Sequence, residues 1–203
     1  MRDELVTPHG RCVILEPAEP PALIGGELAI AAGLGEVRRR ELACGRGALR
    51  DALGAAVAIL ADDRGAPILP AGWLGSVSHK RGRAAALVAP DRGDGARIGV
   101  DLELAAPPRQ PIERRILTPR EAHVTGREVA LRFAIKEAIY KAIDPFVRRY
   151  VAFTEVELEV GGGGACRVHT AIPLAIDAWW CERDGYWLAT ARAYKAGTAG
   201  PGR

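Results

Sequence analysis

The sequence predicts an α+β fold with two lobes, because each half of the chain pairs an amphipathic helical segment with segments that alternate like strands. The helical segments span residues 36–61 and 128–143, and the clearest alternation lies at residues 98–103 and 153–160. No sequence repeat relates the two halves, so the two-lobed architecture follows from these patterns.

The composition is that of an ordinary globular protein. Of the 203 residues, 48% are hydrophobic and 26% are charged, proportions that support a buried core and argue against a disordered chain. We place the boundary between the lobes near Ile98. This gives an N-terminal lobe of residues 1–97, a C-terminal lobe of residues 98–195 and a disordered tail of residues 196–203.

The N-terminal sequence, the net charge and the cysteine spacing bear on where the protein acts and on what it binds. Residues 1–15 mix charged residues with short apolar runs, unlike a signal peptide or a membrane span, so we expect a cytoplasmic protein without a membrane partner. The net charge of +3 does not by itself decide the kind of partner. If charge matters, it favours an anionic small molecule or an acidic protein partner, since nucleic-acid binders usually carry a denser basic stripe. The cysteines form no C-x-x-C pair, which gives little support to a zinc site or a disulfide framework.

Three arginines flank the apolar face of the first helical segment. With 100° between successive helical residues, Arg39, Arg46 and Arg50 fall within an arc of about 40°. Arginines in this position often only cover core residues with their stems, and we interpret Arg50 as structural. Residues 75–79 and 83–89 are typical of two strands joined by a tight turn.

The second half contains two helix signals and a predicted sheet. Thr118, Pro119 and Glu121 form a helix-start signature, which predicts a helix from about Pro119. The helix of residues 128–143 is expected to stop where Pro145 follows Asp144. Alternation from Val156 onward, together with later apolar runs, predicts an antiparallel sheet.

Four residues of the second half are candidates for chemistry. Strand pleating directs Asp101 and Glu103 to one face, and Mg²⁺ prefers such oxygen donors. Glu137 and Lys141 lie one helical turn apart and outside the apolar face, where they could bind a metal and the phosphate that it bridges. Taken singly, Asp101 and Glu103 are more typical of a solvated strand edge. Glu137 and Lys141, taken singly, are more typical of an ordinary surface helix pair.

Together these motifs resemble those of the 4′-phosphopantetheinyl transferases. Gly99-Val-Asp-Leu-Glu103, followed about thirty residues later by Phe133-Ala-Ile-Lys-Glu-Ala-Ile-Tyr-Lys141, is similar to the paired signature of that family. Gly75-Ser-Val-Ser-His79 resembles its Ser-His segment, and Arg39 with Gly45-Arg46 resembles the arginine motif of its enterobactin-synthetase-type branch. Phe133 stands where the family usually has tryptophan, which keeps an apolar ring but loses the indole donor.

The resemblance implies a pseudo-twofold pair of α+β lobes with coenzyme A bound in the cleft between them. It also implies transfer of the 4′-phosphopantetheine arm of coenzyme A to a carrier-protein serine, with adenosine 3′,5′-bisphosphate leaving. Mg²⁺, or Mn²⁺ in its place, would be held by Asp101, Glu103 and Glu137. The residues implied to contact coenzyme A are Arg39, Arg46, Ser78, His79, Asp101, Lys136 and Lys141.

Glu137 and Lys141 are the implied catalytic residues. Lys141 would contact the diphosphate, and Glu137 or a water on the metal would be the general base for the serine hydroxyl. The implied partner is an acidic acyl or peptidyl carrier protein, which suits a mildly basic enzyme, and we expect a monomer. One alternative is a non-catalytic scaffold or sensor that binds coenzyme A or a nucleotide, which the intact carboxylate set disfavours. Another is a nucleic-acid-binding module, which the low aromatic content disfavours.

Overall fold

The computed structural model describes residues 1–195, which form two compact units. One unit spans Met1–Asp91, and the other begins at Arg92. The predicted tail of residues 196–203 lies outside the described residues. Each unit combines a long helix with an antiparallel sheet, which confirms the predicted α+β class.

The first unit is built on a sheet that packs against a long helix. Its sheet has the order β1-β2-β6-β5, and β3 pairs with β4. The long helix α2 packs on β2 and β6 through a core that includes Ala48, Leu49 and Val88. In chain order the elements are β1 (Arg2–Thr7), β2 (Gly10–Leu15), α1 (Glu27–Ala32), α2 (Glu36–Leu53), β3 (Leu60–Ala61), β4 (Pro67–Ile68), β5 (Trp73–Lys80) and β6 (Arg83–Pro90).

The predicted strand–turn–strand of this unit is confirmed as the hairpin of β5 and β6. Lys80 pairs with Arg83, and the two residues between them, Arg81 and Gly82, have φ values of 49° and 81°. Positive φ at both positions is typical of a type I′ turn, whose twist matches that of the flanking strands.

The first long helix is shorter than the sequence predicts. Gly54 adopts a left-handed conformation, with φ of 67°, and its N–H donates to the carbonyls of Arg50 and Asp51. This arrangement closes the helix at Leu53. The predicted continuation to residue 61 was wrong, because Ile59 extends the apolar spacing but reaches the core from the segment that follows the helix.

A buried ion pair ties α1 to α2. The Glu27 carboxylate accepts hydrogen bonds from Arg50 Nη1 at 2.7 Å and from the backbone N–H of Ile59 at 2.9 Å. Burial alone would raise the pKa of Glu27, but the backbone N–H groups of Ile59 and Ile24, together with Arg50, outweigh it and lower the pKa. The structural interpretation of Arg50 agrees with this contact.

The second unit places its long helix across the predicted antiparallel sheet. The sheet has the order β7-β11-β10-β9-β8. The helix α4 packs on β7, β11 and β10 through a core that includes Leu131, Ile135 and Ala191. In chain order the elements are β7 (Arg97–Leu104), α3 (Glu113–Ile116), α4 (Arg127–Val147), β8 (Val156–Val160), β9 (Ala165–Thr170), β10 (Leu174–Arg183) and β11 (Tyr186–Lys195). No helix within residues 1–195 is long and apolar enough to cross a membrane.

Two predicted helix boundaries in this unit are wrong. Pro119–Glu121 forms a single 3₁₀ turn, because Gly126, with φ of 60°, interrupts the chain before α4 begins. At the other end, Pro145 lies inside α4, which continues to Val147. Near a helix end proline removes only one intrahelical hydrogen bond, so the last turn tolerates it.

We expect Glu27→Gln to lower the free energy of unfolding at neutral pH by about 3–5 kcal/mol, because Arg50 would lose its buried counter-charge. Because the pKa of Glu27 is lower in the folded protein than its ordinary value of 4.5, its ionised carboxylate stabilises the fold at pH values above 4.5. This stabilisation is lost as the pH falls through the lowered pKa. Urea unfolding at several pH values should therefore show a smaller acid-induced loss in the variant than in the wild type. Glu36→Gln, at an exposed position of α2, is the control. Equal acid-induced losses in Glu27→Gln and wild type would contradict this account.

Candidate active site

The helix α4 touches the strand β7 at Gly99. A side-chain carbon placed on Gly99 would lie 2.0 Å from the carbonyl oxygen of Ala138 and 2.9 Å from the backbone nitrogen of Ala142. Glycine permits this approach because it has no such carbon. The backbones of the two elements are therefore in direct contact at this point.

This contact brings Lys141 of the helix to Asp101 of the strand. Side chains two residues apart on a strand share a face, so Asp101 lies on the same face as Gly99. Its Oδ1 accepts a hydrogen bond from Lys141 Nζ at 2.8 Å, and the same ammonium donates to the carbonyl of Val100 at 2.8 Å. Asp101 is 6% exposed, whereas the Lys141 side chain is 28% exposed. The Lys141 side chain thus remains partly exposed while its carboxylate partner is buried.

Glu137 shares the electrostatic environment of this pair. Burial raises the pKa of Glu137, and the negative charge of Asp101 raises it further; Lys141 acts in the opposite direction, and Glu103 adds a smaller upward contribution. The structure therefore brings the three predicted metal ligands into one region, where their charges repel. A cation bound among them would relieve this repulsion.

The donor chemistry fits Mg²⁺, although the donors do not form a closed metal site. Glu103 Oε1 accepts a hydrogen bond from the N–H of Leu104 at 2.8 Å, and Asp101 is bonded to Lys141. Within residues 1–195, no three His, Cys, Asp or Glu side chains are arranged so as to hold a metal ion. Mg²⁺ usually takes one or two carboxylates together with waters and substrate phosphates. The carboxylates of this region suit such a partial site.

The predicted contact of Lys136 with coenzyme A does not agree with its position. Lys136 Nζ donates to Glu121 Oε2 at 2.6 Å and to the carbonyl of Ile116 at 2.6 Å. Only 1% of its side chain is exposed. Burial lowers the pKa of Lys136, and the contact with Glu121 opposes this effect. Lys136 is therefore a structural partner of Glu121, because its ammonium is already enclosed by protein acceptors.

The arginines of α2 differ in their surroundings. Arg46 is 4% exposed, and its Nη2 donates to the carbonyl of Leu60 at 3.2 Å. Its Nε has no hydrogen-bond partner within the described residues, and burial lowers its pKa. Arg39 is exposed and makes a long contact of 3.5 Å to the carbonyl of Leu34. The three predicted arginines therefore have different surroundings: Arg46 is buried, Arg39 is exposed and Arg50 is paired with Glu27.

Ser78 and His79 follow each other on β5, so their side chains project to opposite faces of the sheet. Ser78 is 6% exposed. The His79 ring packs on α2, since a side-chain carbon placed on Gly45 would lie 2.4 Å from its Nε2. The structure therefore does not place these two predicted nucleotide contacts on one face of the strand.

Gly99 and Glu121 are important in this region, although sequence reasoning gave them no role at the site. A glycine within a strand pattern can signal close approach of another backbone, and this signal was available for Gly99. Glu121 was recognised only as part of a helix start. Its burial beside Lys136 depends on a contact between residues fifteen positions apart, which no local pattern reveals.

Comparisons with known proteins cover most of the chain. A family model described as the 4′-phosphopantetheinyl transferase N-terminal domain matches residues 27–89, and one described as the 4′-phosphopantetheinyl transferase superfamily matches residues 97–195. The 4′-phosphopantetheinyl transferase Npt of Nocardia iowensis is 34% identical over 187 residues, which span 78% of this chain and 83% of the relative.

Solved structures with partial similarity include two holo-(acyl-carrier-protein) synthases. The protein from Bacillus anthracis str. Ames, in complex with CoA (3′,5′-ADP), is 24% identical; the match covers 49% of this chain and 96% of that chain, with a TM-score of 0.39. The protein from Neisseria meningitidis is 22% identical; the match covers 48% of this chain and 97% of that chain, also with a TM-score of 0.39.

We expect Gly99→Ala to lower the free energy of unfolding by about 1–3 kcal/mol, because the added carbon forces α4 away from β7. Urea denaturation of both proteins measures the difference. Gly161→Ala is a matched control, since an added carbon there meets its nearest neighbours at 3.6 Å and φ is −96°. Similar losses in the two variants would contradict the close-contact explanation.

Proposed function

The chain belongs to the 4′-phosphopantetheinyl transferase superfamily, and from this premise we propose the reaction that it catalyses. It transfers the 4′-phosphopantetheine arm of coenzyme A to a serine of an acyl or peptidyl carrier protein and releases adenosine 3′,5′-bisphosphate. The reaction requires Mg²⁺, for which Mn²⁺ can substitute. The enzyme acts in the cytoplasm as a monomer, and its carrier partner is acidic.

The observation that carries this proposal is the pair of Lys141 and Asp101 beside the half-buried Glu137. In the transfer, the serine oxygen forms a bond to phosphorus, and the bond from phosphorus to the leaving adenosine bisphosphate breaks. Negative charge grows on the leaving group, and an ammonium placed beside it stabilises that charge. The ammonium of the partly exposed Lys141 side chain is suited to this role.

The carboxylates Asp101, Glu103 and Glu137 would hold Mg²⁺ against the diphosphate. When bound, Mg²⁺ would supply charge neutralisation and orient the diphosphate for attack. Burial and the negative charge of Asp101 raise the pKa of Glu137, and a cation bound beside these carboxylates would offset their mutual repulsion. Lys141 already offsets part of the Asp101 charge.

Glu137 is also the candidate general base for the serine proton. This assignment rests on the place of Glu137 in the Phe133–Lys141 motif, beside the pair of Lys141 and Asp101. The proton of the serine hydroxyl would pass to this carboxylate as the new bond forms.

Binding of the nucleotide part of coenzyme A is assigned to the first unit. Arg46 Nε has no hydrogen-bond partner among residues 1–195, which supports a phosphate contact for this residue. Arg39 is exposed, and its contact with the carbonyl of Leu34 is long, at 3.5 Å. Ser78 and His79 stay proposed contacts on the strength of the Ser-His motif, although their side chains occupy opposite faces of β5.

The proposal is tested by intact-mass spectrometry of an apo carrier protein incubated with the enzyme, coenzyme A and Mg²⁺. We expect the carrier to gain one phosphopantetheine mass, and we expect EDTA or Asp101→Ala to abolish the gain. Asp63→Ala, which removes an exposed carboxylate in another part of the chain, is the matched control and should leave the gain intact. Glu137→Gln should slow the transfer by about 10²–10⁴-fold if Glu137 is the base.

Two results would change the proposal. Absence of any mass gain with several carriers, despite binding of coenzyme A, would favour the non-catalytic binder. Near-normal turnover and metal dependence in Glu137→Gln would remove that residue from the role of base while leaving the overall reaction intact.

A further inference from the structure

The second unit contains a cavity that shares no residue with the predicted coenzyme A contacts. It has a volume of about 680 Å³, within the range of about 300–1,000 Å³ that small-molecule sites occupy. Its wall draws on the 3₁₀ turn at Pro119–Glu121, the helix α4 and the hairpin of β8 and β9. The cationic residues that line it are Arg120, Arg132 and Arg167, together with His123.

Arg132 has hydrogen-bond donors to spare at this cavity. Its side chain is 9% exposed, and its hydrogen bonds within residues 1–195 are both made by Nη1, to the Glu128 carboxylate at 3.2 Å and to the Glu128 carbonyl at 3.5 Å. Its Nε is buried without a hydrogen-bond partner in the same part of the chain, and the nearest Glu121 oxygen is 3.8 Å away. A buried guanidinium with so few hydrogen bonds destabilises the folded protein unless a further acceptor bonds to it.

The glutamates in the cavity wall are engaged by other partners. Glu121 accepts hydrogen bonds from Lys136 at 2.6 Å and from the backbone N–H groups of Thr118 at 2.9 Å and Leu158 at 3.3 Å, and of these partners only Leu158 lines the cavity. Glu157 accepts from the Thr118 hydroxyl at 3.0 Å, and Glu159 lies 2.9 Å from His169 Nε2. Lys136 therefore neutralises Glu121 from outside the cavity, whereas Glu157 and Glu159 are paired with Arg120 and Arg167 at its rim.

The two remaining arginines are exposed and weakly held. Arg120 lies 3.3 Å from Glu157 with 80% of its side chain exposed, and Arg167 lies 3.6 Å from Glu159 with 76% exposed. Exposed ion pairs of this kind contribute little, so either guanidinium can turn toward a ligand. Cys166 adds no opposing charge, because burial raises the pKa of its thiol to about 12.

From these contacts we infer that the cavity at Arg132 binds a small oxyanion, of the phosphate or phosphate-monoester class. Arg132 supplies the buried donors, and Arg120 and Arg167 close on the ligand from the rim. Guanidinium groups bind such anions by paired, charge-assisted hydrogen bonds. The site lies beside Glu121, the partner of Lys136, and Lys136 directly precedes the predicted metal ligand Glu137.

The site is tested by titrating the isotope-labelled protein with inorganic phosphate, against potassium chloride at matched ionic strength, and following backbone amides by NMR. We expect saturable shifts at residues 158–161 and 165–167. Arg132→Met and Arg167→Gln should each weaken phosphate binding by at least about tenfold, the equivalent of one lost charge-assisted hydrogen bond. Arg149→Gln, which removes an exposed guanidinium paired with Glu155, is the control and should bind as the wild type does.

Three outcomes would overturn the inference. These are the absence of saturable shifts in the wild type, shifts confined to residues outside the cavity, and equal phosphate affinity in Arg167→Gln and Arg149→Gln. Arg132 is buried, so its substitution could prevent folding. In that case Arg120→Gln and Arg167→Gln, both at exposed positions, decide the question without it.

Discussion

The backbone contact between α4 and β7 at Gly99 determines where the groups of the candidate active site lie. Because Ala138 and Ala142 occupy the contact itself, the adjacent helix positions Glu137 and Lys141 fall beside the strand. Asp101 lies two residues beyond the glycine, on the same face, where it meets the Lys141 ammonium. A side chain at position 99 would push the helix away from the strand, and Glu137 and Lys141 would then both move away from Asp101.

The buried pair of Lys136 and Glu121 gives α4 a second polar anchor. Lys141 bonds to β7, while Lys136 bonds to the 3₁₀ turn that precedes the helix. Two such bonds at different positions around the helix restrict its rotation about its own axis, and removal of either partner of the buried pair is expected to be strongly destabilising. The same Glu121 borders the cavity at Arg132. An anion there would act on a residue that positions the active-site helix.

Local patterns predicted the parts of the fold that depend on neighbouring residues. The hairpin of β5 and β6, the strand β7 and the body of α4 all follow from periodicity and turn chemistry. The hairpin of β1 and β2 was missed, because β1 is an edge strand whose Arg2 and Glu4 pair on the surface, so its apolar alternation is weak. The end of α2 was misplaced because apolar spacing beyond Gly54 outweighed a glycine signal. The carboxylates and Lys141 were predicted as site residues from motif spacing, whereas the partner of Lys136 became visible only in the three-dimensional arrangement.

We propose that the protein offers only part of a metal site, which the diphosphate of coenzyme A completes. The most direct test is electron paramagnetic resonance of Mn²⁺ titrated into the enzyme with and without coenzyme A, with Asp101→Ala and coenzyme A alone as controls. The account predicts weak binding to the enzyme alone and much tighter binding to the enzyme with coenzyme A, beyond that of coenzyme A by itself and lost in Asp101→Ala. Equal Mn²⁺ affinity with and without coenzyme A would contradict it.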